Sequence, residues 1–234
     1  MSVIKLVRRG SAAASAPIVS SGLPFYGSWP AASGDWPLPW TSVMADTGGS
    51  ITQNNGVGVL YRSLKDGYTA TYPSTVAAAD VDMRVKFNCS LSGNGLRSHL
   101  HVLARWGGGM GVGGNAYFPA SCYALSYWAT RYSGNGYGLN LGKYDENGAY
   151  SQLYVTSSGL TGSMWLRFQL LGSMVRIKAW DTNAPEPTTW LSENSDSTYS
   201  NAGYVALAFP DDPYNYTPSA MNIVSFAVTA PTGS

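Results

Sequence analysis

Carboxylates, histidines and glycines are the residues of this chain whose types could do chemistry, so their spacing is the place to start. Cleavage of a glycosidic bond with retention needs two carboxyl groups about 5–5.5 Å apart, one as nucleophile and one as acid. Residues i, i+2 and i+4 of a strand share a face and could supply that pair. The glutamates are Glu146, Glu186 and Glu193, and no two of them lie within four residues of each other. Asp80 and Asp82 share a parity, but no glutamate accompanies them. This distribution points away from catalysis.

His99 and His101 also share a parity, yet no neighbouring cysteine or carboxylate completes a metal shell, which favours surface or turn histidines. Asp145, Glu146 and Asn147, and separately Asp211-Asp212, carry oxygens of the kind calcium takes. Turn formation explains both segments, so no cofactor is expected and calcium stays unsupported. The glycines at 107–109, 111, 113 and 114 lack the lysine and the helix of a phosphate cradle. Cys89 and Cys122 are too few for a disulfide framework and read as buried free thiols, although pairing between them is open.

Aromatic side chains are the remaining route to a ligand. Sugar rings lay their C–H faces on Trp and Tyr while polar neighbours fix the hydroxyls. Trp106, Tyr117, Trp128, Tyr132 and Tyr137 fall in or beside Gly/Asn/Ser-rich segments and form the candidate glycan platform, with Tyr214 and Tyr216 as a second one. In a large sandwich most such rings are packing residues, so each is weighed against a place in the core.

The elements that must position these groups are strands. The chain has 234 residues, of which 12% are charged, and 27 Gly, 16 Tyr and 8 Trp fill the deficit. That mixture suits pleated strands and tight turns. Residues 80–91 alternate strictly, with Val81, Met83, Val85, Phe87 and Cys89 on one face. Further strands are predicted over 100–106, 121–129, 138–143, 151–155, 164–171, 174–180, 204–209 and 223–229, with 107–114 as a glycine-rich loop. Asn147-Gly148 and Gly172-Ser173 mark hairpin turns. About a dozen short strands without an amphipathic helix imply two packed sheets in one domain over 23–234.

Residues 1–22 read as an extended arm. Val3, Ile4, Lys5, Leu6, Val7, Arg8 and Arg9 are its candidate anchoring residues. No basic stripe lies beyond Lys5, Arg8 and Arg9 at a net charge of +1, so no nucleic-acid partner is expected. No apolar run reaches the ~18 residues of a membrane span, and the N-terminus lacks the order of charges and apolar residues of a signal peptide. Neither a membrane partner nor export is expected.

The order of landmarks resembles the concanavalin A-like and laminin-G-like jelly-roll modules found in tailed-phage structural proteins. It opens with Gly34-Asp35-Trp36-Pro37-Leu38-Pro39-Trp40-Thr41 and 46–55, continues through Val102-Leu103-Ala104-Arg105, Cys122-Tyr123-Ala124-Leu125 and 139–143, and is densest from Trp165 onward. There Trp165-Leu166-Arg167-Phe168, Gly172, Arg176-Ile177-Lys178-Ala179-Trp180, Glu186-Pro187, Trp190 and Ala202-Gly203-Tyr204-Val205 follow one another at the family's spacing. Ser225 departs from the pattern, since an acid often stands there. The resemblance implies an all-β, two-sheet antiparallel jelly-roll sandwich. It further implies a non-catalytic virion component, a capsid decoration or tail-associated protein assembled in the host cytoplasm. Its partners would be other virion proteins through the arm and, in a second role, cell-surface polysaccharide, with a homo-oligomer expected. The alternatives are a lectin-like receptor-recognition module and an accessory domain of a polysaccharide-active enzyme.

Overall fold

A computed structural model of the chain describes residues 22–44, 49–62, 68–90, 97–113, 116–130, 136–157, 159–210 and 219–232. The anchoring residues Val3 to Arg9 lie outside them, as do Tyr132, Tyr214, Tyr216 and Asp211-Asp212. The described residues form two large antiparallel sheets and a separate two-stranded one, and contain no helix. Strands are numbered in chain order. The nine-stranded sheet runs, edge to edge, through β17 (Ser192–Ser195), β16 (Met174–Asp181), β15 (Ser163–Leu171), β8 (Val81–Ser90), β19 (Ser219–Thr229), β5 (Val57–Arg62), β4 (Gly49–Asn54) and β2 (Gly34–Asp35), with β1 (Phe25–Gly27) also paired to β19. The eight-stranded sheet runs through β14 (Tyr150–Thr156), β13 (Gly136–Tyr144), β12 (Cys122–Thr130), β9 (Arg97–Trp106), β18 (Gly203–Pro210), β6 (Tyr68–Pro73) and β3 (Trp40–Met44), with β7 (Ala77–Ala78) on β18. This is the concanavalin-like jelly-roll sandwich.

Period-two alternation builds the core between the sheets. Val81, Met83, Val85 and Phe87 of β8 turn inward, as do Leu100, Val102 and Ala104 of β9, and Leu166, Phe168 and Leu170 of β15. Cys89 packs against the same core, and both cysteines are free thiols. At one end Trp29, Trp36 and Trp40 meet edge-on or stacked, with ring centroids 4.7–6.2 Å apart. Gly58 is required there, because a Cβ on it would stand 2.5 Å from both the Trp29 and Trp36 rings.

A second apolar layer lies on the other face of the eight-stranded sheet. Tyr68, Ala70, Leu103, Trp106, Cys122, Ala124, Ala206 and Ala208 are all fully buried there. The segment read as a glycine-rich loop is partly a hairpin, in which β10 (Met110–Gly113) pairs with β11 (Ala116–Pro119) and β11 lies against β6. Alternating glycines hid the strand, because a strand with half its side chains missing shows no hydrophobic period.

Arg105 fixes the end of β9. Its backbone is left-handed (φ 52°), the β9–β18 register shifts opposite it, and its buried guanidinium donates to the carbonyls of Ala79, Gly172 and Tyr199. Asp80, which accepts from the same guanidinium at 3.3 Å, also accepts from the Gly172 amide at 2.9 Å. Gly203 passes so close that a Cβ on it would be 2.4 Å from the Arg105 carbonyl carbon.

Candidate functional site

Strand register places a row of polar residues on the outer face of the eight-stranded sheet. Ser126 of β12 stands opposite His101 of β9 on one side and opposite Asn140 of β13 on the other. With neighbouring strands about 4.8 Å apart, the row spans about 10 Å. The next row along β12 is Trp128, opposite His99 and Gly138. Each of these residues faces outward because its neighbours of the other parity, Tyr127, Leu125, Leu139, Leu141 and Leu100, fill the core.

Glycines on β13 make the seats for two aromatic rings. A Cβ on Gly138 would meet the Trp128 indole at 2.1 Å, so the ring lies directly against the bare backbone. A Cβ on Gly142 would meet the Tyr150 phenol ring at 2.5 Å in the same way. Gly138, Asn140 and Gly142 alternate along one face, and the two rings therefore flank the single amide between them. The Asp145–Gly148 turn sets Tyr150 opposite Tyr144, with ring centroids 5.0 Å apart. In that turn Asp145 Oδ1 accepts from the amides of Asn147 and Ala149, both at 2.8 Å.

The result is an open cleft of about 370 Å³ lined by His99, His101, Ser126, Trp128, Asn140, Tyr144, Gly148 and Tyr150. Trp128 is partly exposed and Tyr150 is 37% exposed, so both offer ring surface to a ligand. His101 is 4% exposed, and its ring lies 6.0 Å from that of Tyr144. Burial first, and His99 second, push the His101 imidazole down to about 3, which keeps it uncharged at neutral pH. Among the described residues its Nδ1 has no hydrogen-bond partner, and neither has Asn140 Oδ1. Burial pushes the Tyr150 hydroxyl up to about 12. The cleft's described lining holds no carboxyl group and so offers no carboxylate pair. Among the described residues no group of three His, Cys, Asp or Glu could hold a metal ion.

The sequence-predicted aromatic set divides. Trp128 lines the cleft. Trp106 does not: it is 0% exposed, packs edge-on to Tyr72 at 5.6 Å, and spends its Nε1–H on the Gly109 carbonyl at 2.8 Å, leaving no face for a sugar. Tyr137 shares the parity of Leu139 and Leu141 and turns toward the core, where it stacks on Tyr127 at 6.1 Å. The side chain of Tyr117, on β11, lies outside the described residues. His101 is a correction of another kind, being a buried strand residue rather than a surface or turn histidine. Ser126, Asn140, Tyr144, Gly148 and Tyr150 were missed, although the parity of 122–129 and the hairpin after 143 would have put most of them on the face of Trp128.

No family model matches the chain, and no curated protein matches it. Solved structures do share its fold. A legume lectin-like domain from Entamoeba histolytica is 10% identical over 82% of this chain and 90% of its own, with a TM-score of 0.56. The carbohydrate recognition domain of Emp47p is 10% identical over 88% of this chain and 96% of its own, with a TM-score of 0.57. A glycoside hydrolase family 16 endo-glucanase from Bacteroides ovatus, in complex with G4G3G-2F-DNP, is 8% identical over 81% of this chain and 94% of its own, with a TM-score of 0.53. The likeness is therefore one of fold, to concanavalin A-like lectins and jelly-roll glycosidases.

Proposed function

We propose that the protein is a non-catalytic glycan-binding module whose ligand lies in the cleft between Trp128 and Tyr150. The observation that carries the reading is the pair of partly exposed rings seated on Gly138 and Gly142, on either side of the His101–Ser126–Asn140 row. Flat aromatic faces for C–H surfaces, with polar atoms between them for hydroxyls, are what a sugar ring requires. The neighbours support the same class of ligand: VIP36 has the fold at a TM-score of 0.54 and was solved with Man3GlcNAc. A carboxyl-free lining favours binding over hydrolysis.

The virion role, the N-terminal anchor and the oligomer rest on the sequence resemblance; none of the neighbouring structures named above is a phage protein. The test of the glycan reading is a titration of the full chain with neutral oligosaccharides, followed by tryptophan fluorescence and calorimetry. Trp128→Ala should weaken binding about tenfold, since an aromatic ring contact contributes about 0.5–1.5 kcal/mol beyond the area it buries. Binding that is indifferent to Trp128 would place the ligand elsewhere.

A further inference from the structure

Among its described residues the cleft offers two buried polar atoms without a partner and no charged side chain. His101 and Asn140 line it at the two ends of the row whose middle is Ser126, and His101 Nδ1 and Asn140 Oδ1 are buried there without a partner among the described residues. Orphaned buried polar atoms are rare in folded proteins, and each one asks for a partner. A sugar hydroxyl is both donor and acceptor, so it can donate to Asn140 Oδ1 and can serve His101 Nδ1 in either neutral tautomer. A carboxylate or sulfate has only acceptor oxygens to offer. The described lining also contains no Lys or Arg to neutralise an anion, and a charge entering such a site loses hydration without gaining a counter-ion.

We infer that the site selects neutral, hydroxyl-rich glycans and rejects uronic and sulfated ones, with His101 and Asn140 as the paired buried polar groups that set this preference. The inference rests on the glycan-binding reading and adds a ligand class to it. Discrimination of this kind is efficient, because a mismatched group leaves buried atoms unpaired on both sides. Selectivity therefore belongs to this polar pair, and affinity is shared with the rings.

Calorimetric titration of the full chain at neutral pH with two matched panels tests it. One panel holds oligosaccharides of mannose, glucose and galactose; the other holds galacturonate, glucuronate and sulfated galactose oligomers of equal length. The expected result is binding of at least one neutral oligomer, with every acidic counterpart tenfold weaker or more. Asn140→Ala and His101→Phe should each lower the neutral affinity about tenfold. Asn140 is only partly buried, so its variant folds even where a change at His101 does not. Acidic oligomers that bind as well as neutral ones, or neutral affinity unchanged in Asn140→Ala, would overturn the selectivity while leaving the cleft as a glycan site. Binding of neither panel would overturn both readings.

Discussion

An imidazole held uncharged inside a sheet face links the site to the acid sensitivity of the fold. His101 titrates near 6.5 when the chain is unfolded and near 3 when folded, because burial and the neighbouring His99 oppose its charge. Between those values the unfolded chain holds a proton that the folded one does not. Stability therefore falls as pH drops through this window, by up to about 1.4 kcal/mol per pH unit. Asp196 adds a second loss below 3.8. Desolvation raises its carboxyl, but Lys143, Tyr123 and Thr198 outweigh that and hold it well below the usual range. Glu186 joins below about 4.5, where desolvation is outweighed by Arg167 and Lys178, so the slope from pH 6 to 5 belongs chiefly to histidine. Urea unfolding of His101→Gln at pH 6, 5 and 4 should give a flatter dependence than the parent; an unchanged slope would mean that the imidazole is protonated in the folded state.

At the scale of strands and turns, the densest run of landmarks in the sequence turns out to be one device. The segment after β16 folds back so that Trp190 covers the charged groups of Arg167, Arg176 and Lys178, at 4.8–5.0 Å from its ring. Glu186 reaches Arg84, Arg167 and Lys178 on the same face. The spacing was legible because a clamp of this kind needs its members at fixed places. The cleft was less legible, since half of what forms it is the missing side chains of Gly138 and Gly142, and a glycine in a strand reads as a weak strand rather than as a seat. Arg105 shows the same blindness from the other side: nothing local marks a left-handed arginine that joins three distant turns. Its replacement by Met leaves three carbonyls without their donor and should cost about 3 kcal/mol or more. Arg105→Lys should recover only part of that, because one ammonium cannot copy the fork; chemical denaturation of both variants measures the difference.

For the molecule as a whole, the sandwich was readable from alternation because the residues that β8, β9 and β15 give to the described core are apolar. Less readable was the sealed layer on the outer face, whose alanines and Cys122 look like the wet side of a strand. Cys122 is fully buried there, and burial pushes its thiol upward. Alkylation at Cys122, followed by peptide mass spectrometry, should proceed only as fast as the whole domain opens and should slow in proportion to global stability. Labelling much faster than global unfolding would show that this layer lifts independently of the core.

The bare-backbone seats on β13 bear on how a ligand is met. Trp128 and Tyr150 are each wedged against main chain on one side, so the freedom that loose rings would surrender on capture has already been given up during folding. The cleft is thus set before its guest arrives: encounter and fit become one event, and the lifetime of the complex, not the waiting time for a competent shape, governs how strongly it holds.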